Sequence, residues 1–188
     1  SKGPSLNYDL GESEGVEVLN QSCIRNGEIE LEKVLIAKKL NNNQKLSYLK
    51  INDILINSMG TGTLGRVSRN VSIKKKMIIH NCITFLRAKD IYSQYILFYF
   101  ISSHKEYFES IASGSTGQST LKKELIEDLT ITLPDNKFIK KFDLIMSSVW
   151  KEIGIIKNQN KLLKESQDII LPRLMIGMID TDNMKIAV

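Results

Sequence analysis

The residues able to do chemistry concentrate between Ile54 and Lys89. Seven bases stand there, Arg66, Arg69, Lys74, Lys75, Lys76, Arg87 and Lys89, without one acid. The rest of the chain is close to balanced, so nearly all of the net +5 lies in this stretch. A basic block of this kind is the footprint of a polyanion contact, and the competing reading is a solvated basic loop. A second candidate is the small hydroxyl and amide run Ser113 to Thr120, which leads into a short helix at Leu121 to Asp128. Ser115, Thr116, Gln118 and Ser119 beside free helix N–H groups can hold phosphate oxygens, and a glutamine can also address an adenine edge. A capped connector is the plain alternative, with Thr120 as the N-cap.

Other chemistries lack their residues. Gly60 to Gly65 spells G-x-G-x-x-G, and with Arg66 it nearly matches a phosphate loop. Both readings require a helix directly after the glycines. Arg66 to Ile73 instead alternates with period two, so a strand is predicted and the glycines become a turn needing positive φ. No Asn/Asp-Pro-Pro-aromatic methyltransferase motif and no Glu-x-Lys nuclease triplet occurs. No catalytic residue, metal or cofactor is expected. His80 and His104 lack carboxylates at metal-ligand spacing, so His80 is expected to be packed or hydrogen-bonded. Cys23 and Cys82 are too few for a disulfide framework and fit a reducing cytoplasm. No apolar run approaches the roughly 18 residues of a membrane span, and Ser1 to Pro4 shows no signal pattern. A cytoplasmic protein is expected.

These groups need elements to position them. Residues 1 to 15 read as an irregular opening arm, and Arg25 to Glu28 as the turn between two short strands. Asp53 to Ser58 is the best strand of the first half, its apolar run continuous enough to be covered on both faces. Met77 to Ile79 and Asn81 to Arg87 continue the sheet. Ile91 to Ser102 and Lys105 to Ala112 switch to helical spacing, with Tyr95, Phe98, Tyr99 and Ile101 as core. Leu129 to Leu133 is a last strand before Pro134. The predicted class is α+β: a mixed, twisted sheet with packed helices over 1–134, then one long projecting coiled-coil helix over 135–171, broken at Pro172, and a tail over 172–188.

That helix carries a seam. Phe142, Val149, Ile156, Leu163 and Ile170 fall on one line at steps of seven, with Met146, Ile153, Asn160 and Gln167 beside it. A period of seven over four repeats calls for a partner helix in a left-handed supercoil. At 1.5 Å per residue the helix spans roughly 50 Å. A buried core helix is the competing reading, opposed by the lysine-rich face at Lys140, Lys141, Lys151, Lys157, Lys161 and Lys164.

Four stretches, in order, resemble the specificity subunit of type I restriction-modification systems. They are Gly15 to Leu31, Asp53 to Val67, Gly114 to Pro134 and Ile169 to Ile179. The chain departs from the family at the opening of the helix, which reads Asp135-Asn136-Lys137-Phe138. It is similar to one target-recognition domain with one spacer helix, half of a full subunit, and so is expected to be a fragment or a half-sized subunit. The resemblance implies a non-catalytic protein recognising one half of a split double-stranded DNA site. Its partners would be the methyltransferase (M) and endonuclease (R) subunits. Arg66, Arg69, Lys74, Lys75 and Lys76 would neutralise phosphates, and Ser58, Thr61, Thr63 and Gln118 would read bases. The seam would be met by a second recognition half or by a second copy, as an antiparallel coiled-coil homodimer. The rival is a coiled-coil protein-interaction adaptor that does not bind DNA.

Overall fold

In the computed structural model the described residues are 1–3, 15–37, 46–71, 73–88, 94–112 and 119–178. The chain divides into two units, Ser1–Asp143 and Leu144–Val188.

In the first unit the strand predicted at Asp53 to Ser58 is the centre of a sheet. This strand, β5 (Ile54–Asn57), is buried at every position. It pairs antiparallel on one side with β6 (Val67–Arg69), Ile56 opposite Val67. On the other side it pairs with β8 (Ile83–Leu86), Leu55 opposite Phe85. Full burial of Ile54, Leu55 and Ile56 contributes about 1.5–3 kcal/mol for each side chain, which is why a continuous apolar run is placed here. Leu55 packs into a cluster with Leu19, Cys23, Ile24, Met77, Ile79, Ile83 and Phe85.

A second, mixed sheet places β1 (Val16–Leu19) between antiparallel β4 (Leu35–Ala37) and parallel β7 (Ile78–Ile79). Between β1 and β4 lies the hairpin of β2 (Ile24–Arg25) and β3 (Glu28–Ile29). Its turn residues Asn26 and Gly27 sit at φ 50° and 78°, the positive-φ pair a two-residue hairpin demands. The hairpin is docked on β6: Gly27 bridges Ser68, and the Ser68 hydroxyl donates to the Glu28 carbonyl.

Helices α1 (Gln94–Ser103) and α2 (Lys105–Ile111) follow, anchored by buried Phe98, Ile101 and Phe108. The short α3 (Lys123–Glu127) buries Ile126. The long α4 (Asn136–Met175) opens with its first turn held by the Asp135 carbonyl and buries Ile139 and Asp143. Mixed sheets, packed helices and one long C-terminal helix make the α+β architecture anticipated from the sequence.

Three local expectations fail. Thr120 is not the N-cap of α3; that position is Lys122, with no side-chain cap, and Thr120 instead bridges Met59 in the glycine segment. Residues 129–133 are not a strand. Their alternation half-buries Leu129 and Ile131, but no ladder forms there among the described residues, and a strand needs a neighbour as well as a pattern. Pro172 does not break the long helix, which runs on to Met175. The stop is Gly177 at φ 71°, with the Met178 N–H donating to Arg173 O at 2.9 Å and the Gly177 N–H to Leu174 O at 3.1 Å. Those two bonds are a Schellman closure.

Candidate nucleic-acid interface

The glycine segment is a loop, as its alternating sequel predicts. Gly60, Gly62 and Gly65 take φ 106°, 72° and 76°, and an antiparallel strand follows, not a helix. No helix follows these glycines directly in the chain, so neither a phosphate loop nor a dinucleotide fingerprint is built here. Thr61 and Gly62 form the exposed tip, while Leu64 and Gly65 are buried. The Thr63 hydroxyl is half-buried and turns back to the Met59 and Gly60 carbonyls. Arg66 is held by its Nη2, which donates to Gly62 O at 2.9 Å.

The other residues singled out from the sequence scatter. Ser58 and Arg69 are interior. Ser58 is fully buried, its hydroxyl bonded to that of Thr84, and its carbonyl accepts from the Leu121 N–H at 2.8 Å. Arg69 is 6% exposed, with Nη2 donating to Asn52 Oδ1 at 2.7 Å and its guanidinium 3.9 Å from the centre of the Tyr95 ring. Neither reaches a surface that a duplex could touch in this structure, because central-strand geometry and a cation–π seat claim them. Of the lysine turn, Lys75 pairs with Glu17, Lys76 stacks 4.7 Å over Tyr48, and Lys74 is exposed. Arg87 is held by Asp53, a buried carboxylate, at 2.6 Å through Nε and 3.0 Å through Nη2. Ser119 is half-buried, whereas Ser115, Thr116 and Gln118 lie outside the described residues.

What the fold gathers is different. Arg25 of the β2–β3 turn, Arg66 after the glycine loop and Lys105 at the start of α2 line one cleft of about 480 Å³, walled by Phe98, Tyr99 and Ser102 of α1. Among the described residues no carboxylate lines it. Arg25 and Lys105 were invisible to charge-run reasoning because each stands among neutral or acidic neighbours; the only signal was residue type. Chemically, such a cleft attracts an anion and offers directional N–H donors to its oxygens.

Of the groups that could act as nucleophiles, the two thiols are poorly suited. Burial raises the Cys23 thiol, and pushes that of Cys82 up to about 11, so neither is ionised near neutrality. His80 is half-buried with Nδ1 3.0 Å from Cys82 Sγ, and burial lowers its pKa.

In the second unit most apolar side chains of α4 are exposed, Val149, Ile156, Leu163 and Ile170 among them. Ile153 is half-buried, and Asn160 and Gln167 are exposed. Met146 is half-buried as well. Phe142, in the first unit, is half-buried with its ring edge-on to Tyr99 at 6.2 Å. A further exposed row, Ile155, Leu162 and Ile169, was missed in the sequence although it repeats at the same interval of seven.

The chain thus joins an α+β domain with a cationic cleft to a long helix bearing an exposed apolar face. The family model of the type I restriction modification DNA specificity domain matches residues 1–165, and the chain belongs to that family. No curated protein matches the chain. Among the described residues no helix is long and apolar enough to cross a membrane.

Proposed function

We propose that this chain recognises one half of a split double-stranded DNA sequence without catalysing a reaction itself, and directs methyltransferase and endonuclease subunits to that site. The observation that carries the reading is the family match over residues 1–165. The cleft at Arg25, Arg66 and Lys105 supports it, as does the exposed Thr61 at the tip of the glycine loop. Thr61, Arg66 and Lys74, together with Ser115, Thr116, Gln118 and Ser119 of the hydroxyl loop, are the residues from the sequence reading that we carry forward as DNA contacts. In this reading α4 separates two recognition domains, and its apolar face meets a second recognition half or a second, antiparallel copy of the chain.

The test is selection from a pool of random duplexes by the chain assembled with its methyltransferase subunit. Enrichment of a sequence containing a defined half-site, with methylation confined to it, is the expected result. Absence of duplex binding even at low salt would leave the helix face as the functional surface and the protein an adaptor.

A further inference from the structure

We infer that the cleft between the β2–β3 turn, the glycine loop and the start of α2 seats a backbone phosphodiester of the duplex, held by Arg25, Arg66 and Lys105. This rests on the DNA-recognition reading and goes beyond it by naming which cations meet the backbone.

The three cations come from three separate elements that the fold presses together. The hairpin turn is fixed to β6 by the Gly27–Ser68 bridge and the Ser68 bond to Glu28. The glycine loop is fixed to α2 by the fit at Gly65, where an added Cβ would lie 3.1 Å from the Lys105 carbonyl. That close approach is what brings Arg66 beside Lys105. Like charges so placed repel one another; among the described residues no carboxylate lines the cleft, and the nearby Glu30, whose charge is felt by both Arg25 and Arg66, is itself paired with Lys33. The Lys105 contact with Glu109 is long, at 3.6 Å, and about half-exposed on both sides, so it holds the ammonium only weakly. Arg66 is oriented by its bond to Gly62 O and keeps further N–H donors in its planar fork. An anion with oxygens on several sides satisfies all three cations at once, and a phosphodiester of a duplex is such a group with a continuous strand to lead it into an open cleft. The lysine turn contributes less, since Lys75 and Lys76 are engaged by Glu17 and Tyr48.

The experiment titrates the assembled methyltransferase complex with a fluorescent duplex carrying the selected site, and with a scrambled one, over a series of salt concentrations. Arg25→Gln, Arg66→Gln and Lys105→Gln are each expected to flatten the slope of log K against log salt by about 0.9, and the triple variant by about three times that. The loss should be equal on both duplexes, since backbone contacts position without specifying. Arg66→Lys should keep most of the slope. Thermal midpoints of the variants are measured alongside to show that each is folded. A triple variant that is folded and keeps the wild-type slope overturns the inference while leaving DNA recognition standing. A wild-type complex that binds no duplex overturns both. Competition by inorganic phosphate or a nucleoside monophosphate, abolished in the triple variant without any change of slope on DNA, would assign the cleft to a small phosphate ligand and overturn the inference too.

Discussion

A buried carboxylate ties the head of the central strand to the end of β8. Asp53 is fully buried at the head of β5, where it accepts the Lys50 N–H at 2.8 Å and both bonds from Arg87 beyond the end of β8. Asp53→Asn leaves the Arg87 guanidinium without its counter-charge. Because Arg87 is 37% exposed on its side chain, water offsets part of the loss, and about 2 kcal/mol of stability should go, read from the urea midpoint. His80 gives the pH dependence. Burial lowers its folded-state pKa below the ordinary 6.5, so the unfolded chain binds the proton more readily. Its contribution to stability is therefore present above about pH 6.5 and lost as pH falls through the folded value. Urea midpoints of the wild type should drop on going from about pH 7 to about pH 5, and His80→Gln should reduce that drop. At this scale the sequence told types but not surroundings. Ser58 and Arg69 carry groups suited to DNA, yet one is sealed against Thr84 and the other against Tyr95.

Among the elements, the turns were the most legible. Asn26-Gly27 and the three glycines of residues 60–65 announce positive φ because few other residue types adopt it cheaply, and the structure has it at each. Gly65→Ala combines an unfavourable φ with contact at the Lys105 carbonyl, and should cost about 1–3 kcal/mol while loosening the Arg66 side of the cleft. Equilibrium unfolding in urea checks the first effect. The helix end was read wrongly because Pro172 and Gly177 both signal termination. Proline removes one N–H donor and crowds the preceding turn, whereas the glycine supplies the left-handed residue that closes the chain back on Arg173 and Leu174. Pro172→Ala should therefore leave the helix end at Gly177 and raise the helical ellipticity at 222 nm. A helix that lengthened past Gly177 would show that proline sets the end after all.

For the molecule as a whole, the exposed apolar rows of the second unit carry the assembly prediction. Ile156 and Leu163 are 54% and 67% exposed in the single chain, and Ile155 and Leu162 lie beside them at 50% and 54%. Under the proposed pairing, Ile156→Asp with Leu163→Asp should shift sedimentation toward the monomer, and leave DNA binding by the isolated recognition half weak but present. A wild-type chain that sediments as a concentration-independent monomer would instead mean that the helix face awaits a different partner. The sequence by itself determined the α+β class, the central buried strand, the positive-φ turns and the helix with its repeat of seven, since each is written in residues close together along the chain. Only the tertiary structure decided which charges work together. Arg25, Arg66 and Lys105 are neighbours because a hairpin docks on β6 and a glycine loop abuts α2, and contacts between segments so far apart leave no local pattern to read.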